Sequence, residues 1–474
     1  MRNTSPYDLD GIPVLREAIP LGLQHILAMF VSNITPLIIV AGAMKMPSET
    51  KTFLIQCTML VAGVNTLIQA YRIGPIGARL PIVVGTSFAF VPVALSIGSK
   101  YGYEGILGAA LIGAVFEIFI GAIIKKIRRY FPPVVTGVIV LSIGLSLLPV
   151  GVSNFAGGVG AADFGSFPNL FIGMVVLITV IFFKQFTKGI TSTGSIFVGT
   201  VVGFIVAFFM GKVDLTPVRN AAFMSFPRPF TYGLAFHADA CLAMIMMFIV
   251  SAVETVGDMS GVTMGGANRE VTDKELSGGI LADGFGSALA SVFSVLPTTS
   301  FSQNTGIVAM TGIMSRFVVG TGAAFLVAGA FFPKIGAVLS IVPASVLGGS
   351  LVMIFAMISI SGINLITKEP LVGRNAVILS VSLGLGYGLG SVPAALKYFP
   401  ASIQLIFGGS GIVVSGSIAV LLNIILPLDE KVKKNIKSWK SFSIKQINYH
   451  TAEQVYKLSS FEDFLLILCC LFVV

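Results

Sequence analysis

Charge is what this chain has least of. Only 11% of its 474 residues are Asp, Glu, Lys or Arg, against about 25% in an ordinary soluble domain. With 55% hydrophobic residues and a mean hydropathy of +0.94, this excludes a soluble globular protein and implies a polytopic membrane protein. Cysteine is scarce as well. Cys57, Cys241, Cys469 and Cys470 fall in or beside apolar runs, and the last two are adjacent; neither a disulfide framework nor a metal site is expected from that spacing. The 3 histidines form no His-x-x-x-His pair, so a membrane-embedded enzyme has no nucleophile–base or metal constellation to build on, and no cofactor is expected. The first 17 residues, with Asp8, Asp10 and Arg16, contain no apolar run, so no cleavable signal peptide is expected. The net charge of +9 is not a nucleic-acid footprint, because the basic residues stand in short loops beside apolar runs, where they set orientation.

Apolar runs are abundant. They lie at 18–43, 52–71, 104–124, 132–150, 169–183, 192–211, 236–256, 317–333, 336–362, 374–395 and 401–426. Two interrupted segments, 80–98 and 297–315, and a glycine-rich one, 276–295, raise the expected count to about fourteen crossings. The stretch 336–362 reads either as one long tilted span or as a span plus a surface piece. Basic clusters recur at Arg72–Arg79, Lys125–Arg129, Lys184–Lys188, Arg269–Lys274, Arg316, Lys368–Arg374 and Lys431–Lys440. An even number of crossings puts them all on the side of the N-terminus, which places both termini in the cytoplasm and the chain in the inner (plasma) membrane as a multi-pass protein. Residues 1–17 are then a cytoplasmic segment, 18–427 the membrane unit and 428–474 a cytoplasmic tail. The charged tail from Asp429 to Asp463 carries the single Trp, Trp439; it either lies on lipid headgroups or is merely solvated. Phe464–Val474 is apolar but too short to span.

One stretch organises the rest. Pro297-Thr-Thr-Ser-Phe-Ser-Gln-Asn-Thr-Gly-Ile-Val-Ala-Met-Thr-Gly312 begins polar and is apolar for only about two turns, whereas the bilayer core takes roughly 20 helical residues. A short, Gly/Pro-punctuated half-helix at membrane depth is tolerated where it lines a cavity, and in secondary transporters it points to the binding site. Thr299-Ser300-Phe301 closely follows Pro297, as Thr86-Ser87-Phe88 follows Pro81 in the other half. Corresponding interrupted spans in the two halves are what a duplicated, inverted unit predicts.

Ionisable residues inside the spans are few and costly unless they face protein or water. Glu254 and Asp258 stand one helical turn apart and share a face; Asp283 sits in Leu281-Ala-Asp-Gly-Phe-Gly286, and His25 follows Gln24 in the first span. Each is either functional or a buried polar group satisfied by its surroundings. Gln303 and Asn304 open the short helix: their carboxamides can read a planar solute with alternating N–H and C=O edges, or can serve only as caps. Free N–H groups near Ala89-Phe90 and Ser302-Gln303 would serve acceptors or an anion, with Glu254 opposite to accept from ring N–H groups. Phe90 is either packing or a stacking surface for an aromatic ligand.

These residues carry a resemblance. Gln303-Asn304-Thr305-Gly306-Ile-Val-Ala-Met-Thr311-Gly312 resembles the signature of the nucleobase–ascorbate transporter family, also called nucleobase:cation symporter-2. Gln24-His25 is similar to its paired motif in the first span, Glu254 and Asp258 to its eighth-span carboxylates, and Asp283 to its ninth-span Asp. The similarity covers residues 12–427 and is nearest the bacterial uracil–xanthine permease branch. It implies an all-α polytopic fold of about fourteen transmembrane segments as two inverted repeats of about seven, with short extended pieces in segments 3 and 10. It also implies a core domain, near 18–126 and 236–334, sliding against a gate domain, near 127–235 and 335–427, and a homodimer in lipid. The family's substrate contacts fall on Glu254, Gln303, the backbone at Ala89-Phe90 and Ser302, and the ring of Phe90. His25, Asp258, Asp283 and Asn304 would support the site or its coupling to H+ or Na+. Gln rather than Glu at position 303 implies a purine, xanthine first and urate next, over uracil. The alternatives are another nucleobase permease, an inorganic-anion transporter of the related sulfate/bicarbonate fold, or a passive channel.

Overall fold

The computed structural model describes residues 5–427. Trp439, Cys469, Cys470 and the expected tail features lie outside the described residues. The first half runs α1 (Leu15–Ala43), α2 (Ser48–Tyr71), β1 (Val84–Thr86), α3 (Val91–Ile127), α4 (Pro133–Phe155), α5 (Phe167–Phe186), α6 (Ile190–Thr193), α7 (Ser195–Phe209) and α8 (Thr216–Asn220). The second runs α9 (Ala238–Ala267), α10 (Asp273–Val292), β2 (Thr298–Ser300), α11 (Ser302–Thr311), α12 (Arg316–Gly329), α13 (Pro333–Ser340), α14 (Ala344–Ile366), α15 (Arg374–Ser391), α16 (Ala401–Ile403) and α17 (Gly411–Ile425).

Local sequence explains the boundaries. Proline in the first turn opens α4, α5 and α13, where its missing N–H has no intrahelical partner to lose. Thr272 and Glu275 form a reciprocal capping box at the start of α10. The expected segments 80–98 and 104–124 share one helical run, α3, broken at Gly102 with φ 75° and ψ −178°, a conformation only glycine reaches freely. Gly312, at φ 70°, ends α11. The stretch 336–362 resolves as a short helix, α13, and a full span, α14, separated before Pro343.

Among the described residues, 7 helices are long and apolar enough to cross a membrane, or up to 9 if each bent pair is one span. The bent pairs are α12 with α13, at 87°, and residues 401–408 with α17, at 85°. Of the rest, α10 and α15 are 20 and 18 residues long but diluted by glycine and polar residues, and the other elements are short or interrupted.

The halves repeat one another. α10 packs on α3 as α2 packs on α12, and α9 on α3 as α1 on α12; α5 meets α7 as α15 meets α17. Each of these contacts has a mate when α1, α2, α3, α4, α5 and α7 are matched to α9, α10, α12, α14, α15 and α17. The two strands lie where the halves join, and they pair antiparallel, Val84 with Ser300, Gly85 with Thr299 and Thr86 with Thr298. An antiparallel join between matched elements is what inversion requires. The interrupted spans identified from Thr86-Ser87-Phe88 and Thr299-Ser300-Phe301 are therefore one structure, a two-stranded sheet with a short helix leaving each end.

The most extensive pairing is α4 against α14. Small residues let the backbones approach, as membrane helices require when burying apolar surface gains nothing over lipid. A Cβ built on Gly137 would lie 2.7 Å from the Ile366 backbone nitrogen and 2.8 Å from the Gly362 oxygen. Gly137→Ala must push the helices apart, at a cost of about 1–3 kcal/mol. The expected result is a lowered midpoint of thermal unfolding in detergent; an unchanged midpoint would show that the contact is slack.

Candidate functional site

The site is built around the strand pair, whose backbone would otherwise be orphaned at membrane depth. Asn33 of α1 accepts the Thr86 N–H at 2.8 Å. Thr66 of α2 accepts the Val84 N–H at 3.0 Å, Ser287 of α10 accepts the Thr298 N–H at 3.0 Å, and Asn65 donates to the Thr298 hydroxyl at 3.0 Å. All of these side chains are buried. Helices α1, α2 and α10 thus hold the sheet by single polar side chains in otherwise apolar surroundings.

The carboxylates expected from the sequence sit against the same sheet. Asp258 accepts from the hydroxyls of Ser300 and Ser302, both at 2.7 Å, which ties the last residue of β2 and the first of α11 to α9. Asp283 accepts from Gln69 at 3.0 Å and, through its other oxygen, from the Thr255 hydroxyl. Gln69 also donates to the Gly279 carbonyl at 2.9 Å and accepts the Ala78 N–H at 3.0 Å, so every polar atom of its amide is used. Asn304 donates to the His25 carbonyl at 2.9 Å, with the His25 Nδ1 3.2 Å from the same amide nitrogen. These contacts lock α11 to α1 on one side and to α9 on the other.

Glu254 is different. It is buried, its Oε2 has no hydrogen-bond partner, and it lines a small cavity of about 30 Å³ together with Thr86, Ser87, Phe88, Ala89, Thr299, Ser300, Phe301, Ser302 and Gln303. The starts of both short helices border that cavity, and their first N–H groups lack intrahelical acceptors. The Gln303 carboxamide is unpaired within the described protein and lines both this cavity and a larger one of about 350 Å³. The larger cavity reaches Lys184 at the end of α5. Acceptors on Glu254, a donor–acceptor pair on Gln303 and the backbone at two helix starts converge on one small space: chemistry suited to a flat heterocycle with both N–H and C=O edges. The expected donor at Ala89, however, is taken by the Ser87 hydroxyl at 3.3 Å, and the Asn304 N–H by the Phe301 carbonyl at 3.0 Å.

Of the residues singled out from the sequence, Glu254, Gln303, Ala89 and Ser302 meet at this cavity, while Asp258, Asp283, Asn304 and His25 form the shell behind it. Phe90 does not line it; its ring is fully buried against Phe248, centroids 4.7 Å apart. The aromatic surfaces at the cavity belong to Phe88 and Phe301. Sequence reasoning passed over Asn33, Asn65, Thr66, Gln69, Thr255 and Glu117. Asn65 and Gln69 stand one helical turn apart on an apolar helix, a spacing that could have flagged them.

Residues 16–395 match the Permease family. The chain belongs to that family. The xanthine permease XanQ of Escherichia coli K12 is 36% identical over 437 residues, covering 89% of this chain and 93% of its own length. The xanthine permease of Bacillus subtilis is 37% identical over 423 residues, 88% and 95% of the two chains. The uric acid permease PucJ of Bacillus subtilis is 35% identical over 418 residues, 87% and 93%. Among solved structures, the transmembrane domain of the cyanobacterial bicarbonate transporter BicA matches with a TM-score of 0.56 at 12% identity, over 86% of this chain and 97% of that one. Murine Slc26a9, an anion transporter in its inward-facing state, matches with a TM-score of 0.56 at 14% identity, over 86% and 68%. At such identities the likeness shows the fold alone. The chain is thus a multi-pass membrane permease, a transporter and not an enzyme, and the sequence resemblance to the uracil–xanthine permease branch agrees with its relatives.

Removing the Asn33 acceptor tests the scaffold apart from any substrate. Asn33→Ala leaves the Thr86 N–H buried without a partner, at a cost of about 1–3 kcal/mol. The variant should unfold at a lower temperature in detergent, whereas substitution of the exposed Met310 should not change the midpoint.

Proposed function

We propose that this permease imports an oxidised purine, xanthine first and urate second, in symport with a proton. The observation that carries the reading is Glu254, a buried carboxylate with one oxygen unpaired, placed at a cavity that also receives Gln303 and the starts of both short helices. A carboxylate is the acceptor that adjacent ring N–H groups require, and a carboxamide can donate to a ring carbonyl and accept from a neighbouring N–H in one plane. The relatives' names support the same class: two are xanthine permeases and one a uric acid permease. Gln303 favours a purine over uracil by the family resemblance. The bicarbonate-type fold is compatible with anion transport, but an inorganic anion has no use for an unpaired acidic acceptor, which would repel it.

In this reading α1–α3 and α9–α12 form the moving core, and α4, α5, α7, α14, α15 and α17 the gate against which it slides. The basic cluster at Lys184 marks the cytoplasmic side, so the larger cavity that runs from Gln303 to Lys184 is the release path of a state open to the cytoplasm. Both termini are cytoplasmic, the membrane is the inner (plasma) membrane, and the unit is a homodimer. Glu254 contacts the base and Gln303 reads its adjacent edge. Phe88, rather than Phe90, offers the ring nearest to it.

Uptake of radiolabelled xanthine into cells, with and without a protonophore and in competition with urate, uracil, guanine and hypoxanthine, tests the reading. The expected result is accumulation abolished by the protonophore and competed by urate but not by uracil. Glu254→Gln should lose at least about tenfold of this uptake, the scale of a charged hydrogen bond of about 1.5–3 kcal/mol. A Glu254→Gln variant that still concentrates xanthine would sink its assignment as the purine acceptor.

A further inference from the structure

We propose that Glu117, on the second half of α3, is the carboxylate that carries the coupled proton, at a site separate from the purine-facing Glu254. The inference rests on the symport reading and adds to it the residue that performs the coupling. Glu117 is fully buried, and neither of its carboxylate oxygens has a hydrogen-bond partner. It lines neither the small cavity at the strand pair nor the larger one leading to Lys184, so it is free of a direct role toward the solute. Its neighbours along the buried face of α3 are small: Gly113 and Ala114 before it and Gly121 after it. A face made for close apolar packing thus receives one long acid that nothing ties down.

The surroundings of Glu117 decide what that acid can do. From α9 it is faced by Ser251 and Glu254, and from α10 by Asp283; Asp258 lies one turn beyond Glu254. No basic side chain forms an ion pair with any of these four acids among the described residues. His25 on α1 turns to Asn304 instead, and Arg128, in the turn after α3, is taken by Asp273. Asp283 and Asp258 each accept from two hydroxyl or amide donors. Glu117 has only the Ser251 hydroxyl nearby, outside hydrogen-bond geometry, and an ion so poorly partnered at membrane depth is the costliest state available to it. A bound proton removes that cost.

The step is simple to balance. A proton from outside water adds to one Glu117 oxygen, forming an O–H bond and a neutral side chain. After the core has moved, that O–H bond breaks and the proton passes to cytoplasmic water, leaving the carboxylate; no other bond changes. Because α3 packs on both α9 and α10, the neutral form removes one of several clustered negative charges beside the helices that carry Glu254, Asp258 and Asp283. Proton occupancy and purine occupancy are thereby linked through like-charge repulsion rather than through a shared contact.

Glu117→Gln mimics the permanently protonated form and separates the two halves of the cycle. In proteoliposomes, xanthine exchange with both sides loaded should remain within about threefold of the parent protein, whereas accumulation driven by an imposed pH gradient should fall by more than about tenfold, within the range of a coupling free energy. Glu117→Met should behave alike and unfold no earlier than the parent, because it removes a group that packing does not need. Gradient-driven accumulation by Glu117→Gln equal to the parent's would overturn the inference while leaving the purine reading intact. So would loss of exchange together with accumulation, accompanied by a lowered unfolding temperature in both variants, which would mark Glu117 as structural. A parent protein that moves no xanthine at all would overturn the purine reading and this inference with it.

Discussion

The structure depends on giving partners to six residues of extended backbone in the middle of a membrane protein. Lipid offers no hydrogen bonds, so an open strand there is tolerable only if protein satisfies it. Pairing Val84–Thr86 with Thr298–Ser300 satisfies one edge of each strand. The rest falls to Asn33, Thr66 and Ser287, single side chains on three different helices. Each would be a liability on an apolar helix facing lipid. Around the strands each becomes necessary, and the need fixes how α1, α2 and α10 are rotated. The polar interior is in this sense a consequence of the sheet, and the sheet in turn is what allows two helices to begin at membrane depth.

That scaffold sorts the acidic residues. Asp258 and Asp283 each accept two side-chain hydrogen bonds and hold pieces of the sheet and its neighbours in place. Glu254, one turn from Asp258 on the same helix, keeps an oxygen free at the cavity. Residues alike in chemistry and adjacent in sequence thus divide into braces and a free acceptor, and the division is made by which of them the strand pair can reach. Phe90 follows the same logic in reverse. It stands where a stacking ring is expected, but the turn into α3 commits it to Phe248, leaving Phe88 and Phe301 at the cavity.

Much of this is legible in the sequence, because the signals are violations of a strong background. A polar-headed half-helix, a repeated Thr-Ser-Phe beside proline, and carboxylates inside apolar runs all contradict an otherwise uniform hydrophobic pattern, and each contradiction marks the site. The inverted architecture follows from the repeat, and the strand pairing joins its two copies. Three things resist such reading. Asn33, Thr66 and Ser287 are ordinary residues in membrane helices, and only the strand they face gives them a task. The break at Gly102 is one glycine among 53, and its backbone angle cannot be read from its identity. Glu117 stands inside the apolar run 104–124 with no motif around it, and only the structure shows that neither of its oxygens finds a partner.

The two halves are equivalent as packing and unequal as chemistry. The first half gives the cavity backbone amides, hydroxyls and Phe88; the second gives Glu254, Gln303 and the bracing acids. What symmetry guarantees is only the pair of helix starts around a satisfied strand pair, a feature that depends on backbone rather than on particular side chains. Side chains added to one half alone can then choose the solute without disturbing the pairing that keeps the strands dry. In the proposed reading, an acidic acceptor on α9 disfavours small anions at a site whose helix starts would otherwise attract them, and suits a solute that brings its own N–H groups. The same reasoning separates solute from proton. A brace such as Asp258 cannot release its hydroxyl partners without loosening the sheet, and Glu254 must remain available to the solute. The acid best able to gain and lose a proton in every cycle is therefore one that holds nothing in place.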